Sequence, residues 1–145
     1  MYRNLERLRA MATSMKITLC GSAKFEKEFK EYNKRLSLAG HVVYSLSVYP
    51  SDMGQKNWYN DKEKEMLDKV HKNKILNSDA IYIVAPGGYI GDSTKSEISF
   101  AREHNKIIMC AYPLVLDDGY RVARTCPYEG CADPTKLCPC PLCYE

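Results

Sequence analysis

No apolar run in the 145-residue chain approaches the roughly 18 residues that a membrane-spanning helix needs. The opening stretch, MYRNLERLRAMATS, has no apolar core of the kind a secretory signal carries. A reducing, cytoplasmic setting is therefore expected. Charge of one sign is not in large excess: 21 basic against 18 acidic residues leave +3, too little by itself to argue for nucleic-acid binding. No internal repeat is present. Hydrophobic residues at 45% and charged residues at 27% exclude a disordered or collagen-like chain. The length suits one domain with a real core.

Three segments emerge. Residues 1–14 are a basic, mildly amphipathic extension with Leu5 and Leu8 among Arg3, Arg7 and Arg9. Residues 15–113 carry the fold, and residues 114–145 form a cysteine-rich tail. Within the middle segment four short apolar runs, KITLC (16–20), HVVYS (41–45), AIYIVA (80–85) and KIIMCA (106–111), read as strands. They are continuous rather than alternating, as parallel strands buried on both faces should be. Between the first two, Phe25, Phe29, Tyr32, Leu36 and Ala39 recur at helical spacing and Gly40 supplies a stop. Asn60–Asn77 predicts a surface helix with Met66, Leu67 and Val70 as its apolar positions. Its charges and His71 read as a solvated face. Ser93–His104 predicts a third helix with Ile98 and Ala101 inward and Asn105 as a left-handed cap. Residues 46–60 read as a long loop. Its aromatics, Tyr49, Trp58 and Tyr59, could close over a ligand or simply pack.

Alternating strands and helices predict an α/β, Rossmann- or flavodoxin-like parallel sheet of four to five strands. The expected order is 2-1-3-4, with helices on both faces. Ligands in such sheets sit beyond the carboxyl ends of the strands that flank the reversal, here strands one and three. The loops at that place are Gly21-Ser22-Ala23-Lys24 and PGGYIGD (86–92). Both are glycine-bearing and both open a helix, whose N-terminal amides can hold an anion. Gly87, Gly88 and Gly91 would let backbone approach a ligand closely. Asp92 and Glu97, two carboxylates beside these turns, suit glycosidic chemistry: one attacks or stabilises an electron-poor sugar carbon, the other serves the leaving group. The same letters also fit plain helix-start chemistry. Thr94-Lys95-Ser96-Glu97 matches a capping box, and Asp92 or Ser93 could be simple caps.

ITLCGS, SDAIYIVAP and GDSTKSEISFAREHNKII together resemble the nucleoside 2-deoxyribosyltransferase-like superfamily, which includes deoxynucleoside 5′-monophosphate N-glycosidases. The resemblance covers roughly residues 15–112. It implies Glu97 as nucleophile and Asp92 as its assistant at the base. It also implies Gly21 and Ser22 at the sugar or 5′-phosphate. Gly87, Gly88, Gly91 and Ser93, from the glycine-rich loop and the helix start, complete the expected substrate site. Lys24 stands where many members have arginine, and would hold a 5′-phosphate by charge. The family's Asp-x-Gly-Thr-x-x-Glu spacing becomes Asp-Ser-Thr-Lys-Ser-Glu here. The family's tyrosine near the first strand has no clear counterpart; Tyr44, Tyr49, Tyr59 and Tyr89 are available. PGGY…E is similar to the lysine-decarboxylase-like phosphoribohydrolase motif as well, which implies the same reaction class. The chemistry requires no metal or other cofactor. The implied partners are a nucleoside or nucleotide substrate and a second copy of the chain, as a homodimer. A non-catalytic nucleotide sensor is the alternative from another class.

Five of the seven cysteines, Cys126, Cys131, Cys138, Cys140 and Cys143, crowd the last twenty residues. In a reducing compartment such clusters point to zinc more often than to disulfides. A structural zinc ion in the tail is expected, against a free thiol-rich tail. A zinc-dependent interaction protein with the sheet as scaffold is a further alternative.

Overall fold

A computed structural model describes residues 14–53 and 60–122. Strand β1 is Lys16–Gly21, helix α1 Glu26–Leu38, β2 Val42–Tyr44 and α2 Pro50–Met53. Then come α3 Asp61–Leu76, β3 Ala80–Val84, α4 Asp92–Glu103 and β4 Ile107–Cys110. The short strands β5 Leu114–Val115 and β6 Arg121–Val122 follow. The four main strands are all parallel, in the expected order β2-β1-β3-β4. β5 and β6 form a separate antiparallel ribbon. Residues 114–122, read from the sequence as the start of a tail, therefore include an ordered ribbon. Leu114 and Val122 are buried with the main core.

β1 shows why the sheet is two-sided. Ile17 and Leu19 pack on one face with Phe29, Tyr32 and Leu36 of α1. Cys20 points to the other face, into the cluster that holds Ile75 of α3 and Ile98 and Ala101 of α4. Alternation along a strand sends successive side chains to opposite faces. Both faces are covered, so both sets must be apolar, and the strand reads as one continuous run. The periodic face predicted for α1 is the one buried, and Ile98 and Ala101 face inward as expected.

Helix ends follow the punctuation of the sequence. Gly40 (φ 100°) ends α1, and the His41 amide bonds the Leu36 carbonyl at 3.1 Å. Asn105 (φ 55°) ends α4 the same way, with the Lys106 amide on the Ala101 carbonyl at 2.9 Å. An Asn60–Glu63 capping box starts α3. Asp79 is a turn residue at the far end of the sheet from the predicted ligand: its carboxylate accepts from the Lys16 amide at 2.9 Å and pins β1 to β3. Part of the predicted 46–60 loop is helical, since Pro50 opens the one-turn α2. Among the described residues no helix is long and apolar enough to cross a membrane. Residues 1–13, Trp58, Tyr59 and the five tail cysteines lie outside the described residues.

Candidate functional site

Beyond the carboxyl end of β1 lies a cleft of about 310 Å³. Its walls come from three places: the Gly21-Ser22-Ala23 turn, the Leu46-Ser47-Val48 segment after β2, and the facing sides of α3 and the start of α4. Each wall has a local cause. Gly21 closes β1 against Val84, and a Cβ there would collide with the Val84 carbonyl oxygen. The 46–48 segment is held by the Lys74 ammonium, which donates to the Ser45 carbonyl at 2.7 Å and to Ser47 Oγ at 2.8 Å. Lys74 thus braces a wall of the cleft and is not part of a purely solvated face. α4 begins at Gly91 with no side-chain cap, so its first amides are left to a ligand or water.

Glu97 lies at the inner end of the cleft, one turn into α4. It is not the capping residue of a capping box, because the N-cap is Gly91 and Thr94 is buried in the helix interior face. Its side chain is 15% exposed. Oε2 is buried without a hydrogen-bond partner, and Oε1 is 3.7 Å from His71 Nε2. His71 Nε2 is in turn 3.7 Å from Cys20 Sγ. One ligand-capable atom from each of the three residues lies within 4.8 Å of the others. Burial pushes the Glu97 carboxyl up to about 7, offset in part by a hydrogen bond from the Cys20 thiol, while the Asp68 charge adds to the rise. Burial also pushes His71 down to about 4, helped by the Lys74 charge and opposed by a hydrogen bond to the Leu19 backbone. The thiol of Cys20 is driven well up by burial, then by the Glu97 charge. At neutral pH the imidazole is uncharged, so the His71–Glu97 contact is not an ion pair.

Of the sequence-derived candidates, Gly21, Ser22, Gly91, Asp92, Ser93 and Glu97 are brought together around this cleft. Lys24, Gly87 and Gly88 do not line it. The Lys24 ammonium lies 3.4 Å from the centroid of the Tyr89 ring, outside the cleft. Gly87 and Gly88 take positive φ (69° and 86°) in a tight turn, where an added Cβ would meet nothing. Their positive φ shapes this turn. Tyr49 packs edge-on against Phe29 at 6.3 Å and pairs its hydroxyl with Ser45; it is ordinary packing.

Sequence reasoning missed Lys64, Asp68, His71 and Cys20. His71 is 7% exposed, not a surface position, whereas Met66 is 58% exposed. The inward stripe of α3 is Leu67, His71 and Ile75, four residues apart, flanked by Lys64 and Asp68. Of these five residues all but Ile75 line the cleft, and Lys64, Asp68 and His71 are polar. Hydrophobic periodicity therefore fades where the helix is most engaged. The signal available was the placement of Cys20 at the carboxyl end of β1, on the face opposite Ile17 and Leu19.

No family model matches the chain, and no curated protein matches it in sequence. Its fold is similar to that of a 2-deoxyribosyltransferase from the bacterium Bacillus psychrosaccharolyticus. The TM-score is 0.50 at 18% identity, over 65% of this chain and 69% of that one. A CMP N-glycosidase from Clostridium botulinum superposes with a TM-score of 0.45 at 18% identity, over 65% and 68% of the two chains.

Proposed function

We propose that the cleft cleaves or transfers at the N-glycosidic bond of a (deoxy)nucleoside or its 5′-monophosphate, with Glu97 as nucleophile. One observation carries this reading: a carboxylate with a buried, unpartnered oxygen at the floor of an open cleft. A buried polar atom without a partner is costly, and a substrate atom approaching it would relieve that cost. The shared fold with a 2-deoxyribosyltransferase and the motifs around Gly21-Ser22 and Glu97 support the same chemistry.

In the proposed reaction ionised Glu97 attacks C1′. The C1′–N bond breaks, and its electron pair leaves with the base. The base takes up a proton from Asp92, from Asp68, which also lines the cleft, or from water. The resulting glycosyl ester on Glu97 is then attacked at C1′ by water or by a second base, which restores the carboxylate. Neutral His71, beside Glu97, can accept the proton of that incoming nucleophile. The uncapped start of α4, with Lys64 on the opposite wall, would receive a 5′-phosphate; Lys24, turned to Tyr89, would not.

Incubation with a panel of nucleosides and their 5′-monophosphates, read by chromatography for free base, tests the proposal. Free base is expected from at least one substrate and should be lost in Glu97→Gln. Tight binding of a nucleotide without turnover would instead identify a sensor. Turnover that survives Glu97→Gln would remove the nucleophile assignment.

A further inference from the structure

We infer that Cys20, His71 and Glu97 form a zinc site at the floor of the cleft, and that zinc bound there holds the proposed nucleophile out of reaction. The metal site rests on geometry alone; its inhibitory consequence rests on the glycosidic reading.

The donors are one sulfur, one imidazole nitrogen and one carboxylate oxygen, within 4.8 Å of one another. A tetrahedral zinc ion with ordinary bond lengths would set its sulfur and nitrogen ligands about 3.6 Å apart, and its nitrogen and oxygen ligands about 3.4 Å apart. The observed Cys20 Sγ–His71 Nε2 and His71 Nε2–Glu97 Oε1 separations are both 3.7 Å. Both lie within a few tenths of an ångström of those values, and the sulfur and the carboxylate oxygen, within 4.8 Å of each other, would draw together on the ion. The three residues come from β1, α3 and α4, so the cage is fixed by the packing of the domain and not by one flexible loop. The His71 ring is further anchored by its bond to the Leu19 backbone, the kind of outer contact that orients metal-binding imidazoles.

Charge favours the same occupant. A thiolate and a carboxylate supply two negative charges, the imidazole none, so a dication leaves the buried site neutral. Binding displaces the Cys20 thiol proton, and the Glu97 proton where that is held, to solvent. His71 and Glu97 line the cleft while Cys20 is fully buried behind them. The fourth position therefore faces the cleft, open to water or to a substrate atom. The mixed sulfur, nitrogen and oxygen set suits zinc and is a poor match for magnesium or calcium, which take oxygen ligands.

Cobalt(II) is the probe. The test uses the full chain with the five tail cysteines replaced by serine, reduced and stripped with chelator. One equivalent of cobalt should give a thiolate-to-cobalt charge-transfer band with tetrahedral visible absorption, and zinc should displace it. Cys20→Ser should abolish the band, and His71→Gln should weaken binding by more than about tenfold. Circular dichroism checks that each variant folds. Should Cys20→Ser fail to fold, undiminished binding in His71→Gln overturns the site. A folded parent protein without the band, or a band that survives in folded Cys20→Ser, overturns it too. In the glycosidic assay zinc should suppress turnover with the midpoint of its binding. Full turnover with zinc bound overturns the inhibition. A cobalt band in a protein that turns over no nucleoside leaves the metal site standing and removes the glycosidic reading. Turnover without a band does the reverse.

Discussion

Glutamine at position 97 should stabilise the protein while disabling the proposed chemistry, and the stabilisation should grow as pH rises. Burial holds the Glu97 carboxyl at about 7 in the fold against its ordinary 4.5. A folded-state value raised above the unfolded one favours the protonated form. The stability tied to it is complete below 4.5, declines as pH rises, and is gone above about 7. At alkaline pH, ionised Glu97 then costs the fold up to about 3 kcal/mol relative to an uncharged isostere. Glu97→Gln removes that cost. In chelator-treated protein the gain should be about 3 kcal/mol near pH 8.5 and about 1 kcal/mol near pH 5. For a chain of this size that corresponds to a rise in Tm of roughly 6–12 °C and 2–4 °C respectively. His71 titrates in the opposite sense: the stability tied to its neutral form is full above 6.5 and is lost as pH falls to about 4, but it is present in both proteins and is subtracted in the comparison. Thermal unfolding of both proteins across this range is the assay. An equal shift at both pH values, or destabilisation at both, would refute the claim that Glu97 is ionised against a burial penalty.

Two further outcomes follow from the same geometry. If Glu97 must be ionised to attack, kcat/KM should rise with pH and level off above about 7, and a profile flat between about pH 5 and 8 would exclude an attacking carboxylate of that kind. Gly21→Ala should cost about 1–3 kcal/mol in urea unfolding, because the new methyl group collides with the Val84 carbonyl oxygen and forces β1 from β3; a variant of unchanged stability would show that the strand ends can part freely.

The fold was legible because its cues are local and mutually consistent. KITLC and AIYIVA are continuous apolar runs, and a strand covered on both faces can be nothing else. The Phe29–Tyr32–Leu36 face of α1 and the stops at Gly40 and Asn105 are written in neighbouring residues. Strand order followed from handedness and from a single reversal. The ribbon at residues 114–122 was not legible. Its strands are two residues long, and it is held by contacts distant in sequence. Among these are Arg102 on Asp118 at 2.8 Å and the Cys110 thiol on the Val122 carbonyl at 3.7 Å.

The site was half legible, for a physical reason. Glycine turns and an acidic residue at a helix start announce themselves in sequence, which is how Gly21, Gly91, Asp92 and Glu97 were found. A residue reaching the same cleft from the middle of a charged helix has no such marker. His71 lies among lysines, and its neighbours Met66 and Val70 carry more of the apolar signal than their exposures of 58% and 37% justify. Cys20 was hidden differently: in an apolar run a thiol looks like any small hydrophobe. Only the meeting of three elements reveals that this thiol, that imidazole and the Glu97 carboxylate share one buried space. Burial there moves the two groups in opposite senses, keeping the imidazole neutral and the carboxyl reluctant to ionise. A pocket that leaves one carboxylate oxygen without a partner is less stable than a fully apolar one. Such a deficit persists where a ligand removes it, and the substrate carbon and the zinc ion are competitors for that one oxygen-bearing side chain.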